Sequence, residues 1–258
     1  MKICVLIKQV ASEDSSLIIN NEKTGIESNG INLITNEPDS YALEEALLLK
    51  EQTSGEVVIC TLGPESCNQI IKDGLAKGAD RAIHITCDSS EKLSPLNIAK
   101  IISKKINEEN FDLILSGLQS DDIGCAQTGL LISELLDMTH ASLVVGTEIK
   151  DNDKIRVKKE LEGGWFQWVE MELPSSLSIQ SGLNKPRYAS LKGIMMSKKK
   201  PIDIYNLDSG EFDIPQSGIE LDDLYIPQKE KETKYIDGDT DAIVSELIKI
   251  LKEDVKAI

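Results

Sequence analysis

The apolar positions of this chain change texture along its length. Residues 3–7 (Ile3-Cys4-Val5-Leu6-Ile7) run without alternation, as a strand buried on both faces of a parallel sheet requires. Over residues 39–50, Tyr41, Leu43, Ala46, Leu47 and Leu49 predict an apolar helical face, with Glu44 and Glu45 elsewhere on the cylinder. Residues 56–60 read as the next strand. Pro64 opens a helix at a position where a missing N–H costs little, and Gly78 ends it. Residues 81–86 form a further strand. Ser94-Pro95 starts a helix with Ile98, Ile101, Ile102 and Ile106 on one face, and a strand begins at Phe111. Strands alternating with helices predict a parallel sheet with right-handed crossovers, which binds ligands beyond the carboxyl ends of its strands. The strands end at Lys8, Thr61 and Gly117, so the loops after them converge on one crevice.

Beyond residue 140 the pattern differs. Residues 141–149 and 154–160, separated by the turn signal Asp151-Asn152-Asp153, predict an antiparallel pair. Residues 165–173 alternate enough for a third strand, and residues 177–180 add another. A polar loop follows, then Lys198-Lys199-Lys200-Pro201. From Ile202 to the end there are 6 lysines against 15 carboxylates, with Pro215, Gly218 and Pro227 as breaks. Such a segment makes no core alone, and its first part reads as an extended arm. Its end traces a helical stripe of Ile243, Leu247, Ile250, Leu251 and Ile258, interrupted by Asp254, with Thr240 or Asp241 as cap. The organisation expected is an α/β domain over residues 1–200, with a ligand crevice beyond its strand ends. An arm and amphipathic helix over residues 201–258 then cover this chain's core or a partner.

A formal charge of −16 argues against nucleic acid and anionic membrane surfaces; it serves solubility or a negative docking face. The opening run is too short for a secretory or membrane-spanning segment, which leads to a cytoplasmic expectation. Five cysteines without CxxC spacing predict a reducing compartment, with neither a disulfide framework nor a zinc site. His84 alternates with Ile83 and Ile85 as a structural residue, while His140 is open to either reading; neither has metal-ligand spacing.

Three segments carry candidate chemistry. After Gly117 the chain runs through Ser120, Asp121, Asp122, Cys125, Gln127 and Thr128 before a helix resumes. A helix start with unpaired N–H groups is an anion site, and Gln127 and Thr128 add donors. Asp121 and Asp122 would repel a phosphate unless they point away. The other reading is a glycine-containing turn with an aspartate cap. Residues 36–46 (NEPDSYALEEA) read as a well-started helix, capped by Asn36, Glu37 or Asp39 with Pro38 in the first turn. Residues 183–200 (LNKPRYASLKGIMMSKKK) set Leu191, Ile194, Met195 and Met196 in a polar surround. They suit either a loop that meets partners or one that folds onto the core. No catalytic constellation is present: Asp121-Asp122 has no nucleophile or metal ligands beside it in sequence.

Taken together, these segments resemble the beta (small) subunit of electron transfer flavoprotein over nearly the whole chain. MKICVLIKQV is similar to the family's opening strand, and NEPDSYALEEALLLKE to its N-P-x-D-x-x-A-x-E-E-A segment. LGPESCNQIIKDGLAKGADRAIHI resembles its G-P…A-L-A-M-G-A-D-R stretch, GLQSDDIGCAQTG its nucleotide loop, and LNKPRYASLKGIM its N-x-P-R-Y signature. GLNKPRYASLKGI, with ELEGG upstream and YIPQK downstream, looks closest to the branch serving amine dehydrogenases such as trimethylamine dehydrogenase. The proline of N-P-x-D falls one place late, at Pro38, and D-D-D-C-N-Q-T-G appears as Asp122-Ile123-Gly124-Cys125-Ala126-Gln127-Thr128-Gly129.

The resemblance implies an adenine-nucleotide alpha-hydrolase-like parallel sheet flanked by helices, a small antiparallel portion and a C-terminal arm ending in a helix. It implies a heterodimer with an alpha subunit, a structural AMP on this chain, and an FAD lying mainly on the alpha subunit. Carried over by position, the AMP contacts are Leu6, Asn36, Glu37, Pro38, Asp39, Leu62, Gly117, Gln119, Asp122, Ile123, Gly124, Cys125, Ala126, Gln127 and Thr128. The phosphate is expected at the main-chain N–H groups of residues 125–128. Glu37, Ile123 and Ala126 act through backbone atoms, and Asp122 orients the loop or meets the sugar. The docking segment is Arg187, Tyr188, Ala189, Ser190, Leu191, Lys192, Gly193, Ile194, Met195 and Met196, with Leu191 as anchor. The partners implied are acyl-CoA or amine dehydrogenases and a quinone oxidoreductase, and the chain is an electron carrier subunit, not an enzyme. Two alternatives stand beside this. One is an electron-bifurcating relative with a second FAD in place of AMP, against which Leu118 and Thr128 stand where that branch tends to Arg and Val. The other is a non-redox adenine-nucleotide-binding module.

Overall fold

The computed structural model describes residues 1–27, 30–151, 153–207, 221–227 and 233–256. Two compact units are present, Met1–Asp223 and Leu224–Ile258.

In the first unit, β1 (Lys2–Leu6), β4 (Glu56–Gly63), β5 (Arg81–Thr86), β6 (Leu113–Gly117), β7 (Thr139–Asp151), β8 (Lys154–Glu160), β9 (Phe166–Glu172), β10 (Ser175–Ile179) and β11 (Ile202–Asn206) build one sheet. Its order is β11-β5-β4-β1-β6-β10-β7-β8-β9. Pairing is parallel from β11 to β7 and antiparallel from β7 through β9. A short ribbon of β2 (Gln9–Ala11) and β3 (Leu33–Thr35) stands apart.

The uninterrupted apolar strands are explained by burial on both sides. On one face Leu43 and Leu47 of α1 (Glu37–Thr53) and Ile70, Ile71 and Leu75 of α2 (Asn68–Lys77) pack on Ile3, Val5, Val57 and Ile59. On the other, Ile101, Ile102 and Ile106 of α3 (Pro95–Ile106) and Ile132 of α4 (Thr128–Leu135) pack on Cys4, Val58, Ile83 and Ile114. Ser94 starts α3 as expected, its Oγ accepting from Asn97 N at 3.3 Å.

Several elements depart from the sequence reading. Pro64 precedes a single 3₁₀ turn, Glu65–Cys67, before α2 begins. The segment around Leu177 is a strand, but a parallel one, inserted between β6 and β7. Long β7 accommodates both kinds of neighbour through a positive φ of 56° at Leu143 and register shifts around Val144 to Gly146, as a bulge does. The polar loop before Lys198 contains the helix α5 (Leu191–Ser197). Residues 202–206, read as the start of the arm, form β11 at the sheet edge instead.

The second unit holds α6 (Thr240–Glu253). Its cap is neither Thr240 nor Asp241 but Asp239, whose Oδ1 accepts from Ala242 N at 2.9 Å. Val244, Leu247 and Ile248 on it are exposed. Asn152, most of the acidic arm including Pro215 and Gly218, the end of YIPQK and Ile258 lie outside the described residues.

Candidate functional site

The strand order fixes where such a sheet leaves a crevice. The chain steps from β1 through α1 to β4 and β5 on one side, then returns to place β6 on the other side of β1. The carboxyl ends of β1 and β6 are therefore the switch point, where the two following loops part and leave a crevice. Lys8, the start of α1 and the Gly117 loop meet there.

Asp39 is the junction. Its Oδ2 accepts from Lys8 N at 2.8 Å and its Oδ1 from Gly117 N at 2.9 Å. Both strand ends are thus tied to the first turn of α1. Burial pushes the Asp39 carboxyl up to about 7, against the two N–H bonds, which pull it down. The approach is so close that a Cβ on Gly117 would lie 2.5 Å from Asp39 Oδ1 and 2.6 Å from Pro38 Cβ. The glycine is required by contact here, not by its φ.

Asn36 reads the loop like a template. Its Nδ2 donates to Gln119 O and its Oδ1 accepts from Asp121 N, both at 2.9 Å. Asp121 Oδ2 accepts from Glu37 N at 3.2 Å, at the positive end of α1. Asp122 Oδ1 accepts from Lys8 Nζ at 2.7 Å and from Ile123 N at 2.7 Å. Burial opposes its charge, yet the Lys8 ammonium and Ser120 hold the Asp122 carboxyl below its usual range. The two aspartates are therefore engaged with α1 and Lys8. Residues 121–125 are exposed, with Gly124 and Ala126 at φ 66° and 53°. Helix α4 starts at Thr128 without a side-chain cap, and Gly129 sits so tightly on Ser116 and Ser178 that no Cβ fits between. Leu6 is buried on the α3/α4 face of the sheet, and Leu62 packs on that same cluster.

The segment expected to dock partners, residues 187–196, is displayed differently. Tyr188, Leu191 and Met195 are 93%, 83% and 73% exposed, and Ile194 and Met196 are exposed beside them. The Ser190 Oγ caps α5 by accepting from Gly193 N at 3.0 Å. The Arg187 side chain turns inward onto Glu44 and Glu51 of α1.

Sequence reasoning singled out neither Lys8 nor Ser181, whose Oγ donates to Glu37 Oε2 at 2.8 Å across 144 residues. A lysine directly after a buried strand at its carboxyl end was a usable signal for Lys8; nothing local marks Ser181. Glu44 and Glu45, read as lying off the apolar face, are buried. His84 is buried with Nε2 3.2 Å from Gly63 O, and His140 is exposed. Cys4, Cys60, Cys67 and Cys87 are buried free thiols, and Cys125 is exposed. Among the described residues no three His, Cys, Asp or Glu side chains gather as metal ligands, and no helix is long and apolar enough to cross a membrane.

Residues 24–209 match the electron transfer flavoprotein domain family. The chain is 34% identical over 261 residues to the electron transfer flavoprotein subunit beta of Methylophilus methylotrophus, covering 98% of both chains. It is 35% identical to the mitochondrial subunit beta of Arabidopsis thaliana and 31% identical to the subunit beta of Bacillus subtilis (strain 168), over the full length of each.

Proposed function

The chain belongs to the electron transfer flavoprotein family, related over its whole length to beta subunits, and from that premise we propose that it binds a structural AMP, helps hold the FAD of its alpha-subunit partner, and docks dehydrogenases. Electron transfer is the family's work, and an alpha subunit is the partner it implies. The chain acts as a carrier subunit in the cytoplasm, without catalytic residues of its own, and passes electrons from amine or acyl-CoA dehydrogenases towards a quinone oxidoreductase.

The observation that carries the nucleotide reading is the disposition of Asp121 and Asp122. Their carboxylates bond Glu37 N and Lys8 Nζ, which ties Asp121 to the start of α1 and pairs Asp122 with a cation, lowering the repulsion that two aspartates would exert on a phosphate. The helix start at Thr128 offers main-chain N–H groups without a competing side-chain cap. A monophosphate fits that donor set. The backbone from Cys125 to Thr128 would hold it, Asn36 to Asp39 and Gln119 would line the nucleotide, and Leu6 and Leu62 would floor it. The FAD supplies one-electron chemistry when bound. This chain's part is to tie the chain before the docking side chains and the nucleotide loop to one helix, α1.

For docking, the supporting observation is the exposed set Tyr188, Leu191, Met195 and Met196 beside well-anchored backbone. Leu191 seats in an apolar pocket of the dehydrogenase, where such an anchor contributes about 2 kcal/mol. Copurification with the alpha chain, followed by extraction of bound nucleotides, is expected to yield one AMP and one FAD per heterodimer. Two flavins would replace this reading with the bifurcating one, and an absence of adenine nucleotide would end it. Leu191→Ala should weaken dehydrogenase-to-flavoprotein transfer; unchanged coupling refutes the docking role.

A further inference from the structure

The docking helix α5 is short; its backbone packs on α2 at Gly193 while its apolar side chains face outward, so side-chain packing fixes only its inner edge. The approach to it is held by the chain that precedes it. Arg187 donates to the Glu44 carboxylate from its main-chain N at 3.0 Å, from Nε at 2.9 Å and from Nη2 at 2.9 Å, while Nη1 reaches Glu51 at 2.7 Å. Three residues earlier, Asn184 Nδ2 donates to Tyr41 O and to Glu45 Oε2, both at 3.0 Å. Glu45 is itself held by the Thr147 hydroxyl. On the far side, a Cβ on Gly193 would overlap the Ala76 carbonyl of α2, and Lys200 Nζ donates to Leu75 O at 2.8 Å. The exposed residues Tyr188, Leu191 and Met195 lie between these two sets of anchors.

We propose that Glu44, buried in α1, is the positioning residue of this docking segment. Its carboxylate holds Arg187, and through it fixes the place from which Tyr188, Leu191 and Met195 meet the dehydrogenase. Arg187 then belongs to the scaffold and not to the contact surface. The chemistry suits the task. A planar guanidinium gripped along its edge and at its backbone N–H has one orientation, where a lysine ammonium would have many. Glu44 is 6% exposed, so its carboxylate is shielded from competing water and salt, while the Arg187 side chain stays partly exposed. A docking surface already held in its bound form avoids the ordering cost that a free loop meets on association.

The inference rests on the docking reading, and two measurements on the alpha–beta heterodimer separate them. The first is amide hydrogen exchange in wild type, Glu44→Gln and Arg187→Lys. Glutamine keeps the shape but turns an NH2 towards the guanidinium, and lysine keeps the charge without the fork. Exchange across residues 188–196 should quicken about tenfold in both variants, with β1 and β4 unchanged. Unaltered exchange in 188–196 in either folded variant overturns the proposal, whatever the segment binds. The second uses an amine or acyl-CoA dehydrogenase that reduces the wild-type heterodimer, with the heterodimer as varied substrate. Glu44→Gln and Arg187→Lys should raise KM about tenfold at unchanged kcat, with FAD content and dithionite reduction as in wild type. Leu191→Ala is the control. Should Leu191→Ala leave KM unmoved, the docking reading fails; should it raise KM while Glu44→Gln and Arg187→Lys do not, only the positioning role of Glu44 falls.

Discussion

Replacing Asp39 by asparagine should remove a pH dependence that runs opposite to ordinary acid denaturation. The carboxyl is buried at the meeting of β1, β6 and α1, and its folded value is about 7 against an ordinary 3.8. Because the folded value is raised, the folded state binds the proton more tightly than the unfolded chain. The stability from this group is therefore fully present below pH 3.8 and is lost as pH rises to about 7. A difference of roughly 3 units at about 1.4 kcal/mol each gives a loss of about 4 kcal/mol across that window. Asparagine does not titrate. It offers one acceptor to the two donors Lys8 N and Gly117 N, at a constant cost of about 1–3 kcal/mol. Wild type should then be the more stable protein near pH 4.5. The difference should shrink through pH 6 and reverse by about 1–3 kcal/mol at pH 8. Urea denaturation of both proteins at those three pH values, read by far-ultraviolet circular dichroism, measures it. Parallel stability profiles, or a carboxyl 13C titration of Asp39 with its midpoint below pH 5, would refute the reasoning. Either result would mean that the two N–H bonds outweigh burial.

Two further substitutions test the same region and its supports. Gly117→Ala forces a methyl group against Asp39 and Pro38; it should lower stability by about 1–3 kcal/mol, seen as a fall in Tm, and reduce the AMP recovered from the heterodimer. Ser94→Ala removes the acceptor for Asn97 N at the start of α3; a loss of about 1 kcal/mol is expected, measured by denaturation.

Burial on both sides makes strands such as β1 legible: nothing polar is tolerated between Ile3 and Leu6, so composition alone reveals them. Proline and serine mark the start of α3 because they act on the backbone beside them. Gly117 was legible as a turn for the same local reason. Residues 183–200 were legible only as a run of apolar residues in a polar setting; that they contain α5 was not, because the face of α5 that packs is backbone against α2 and leaves no stripe of core residues. Glu44 shows the limit most plainly. Periodicity sends a glutamate outward unless a partner is known, and its partner Arg187 stands 143 residues later.

What the sequence determined by itself is what short-range physics governs: the alternation of buried strands and helices, the helix starts, the turn at Gly117 and the family motifs that lie on these. What only the tertiary structure decided is which distant groups meet. These are the insertion of β10 beside β6, the tie of Asp39 to two strand ends, the pairing of Asp122 with Lys8 and the seat of Arg187 on α1. Each of those depends on a partner far along the chain, and a buried charge or an open ladder edge is stable only once that partner has arrived.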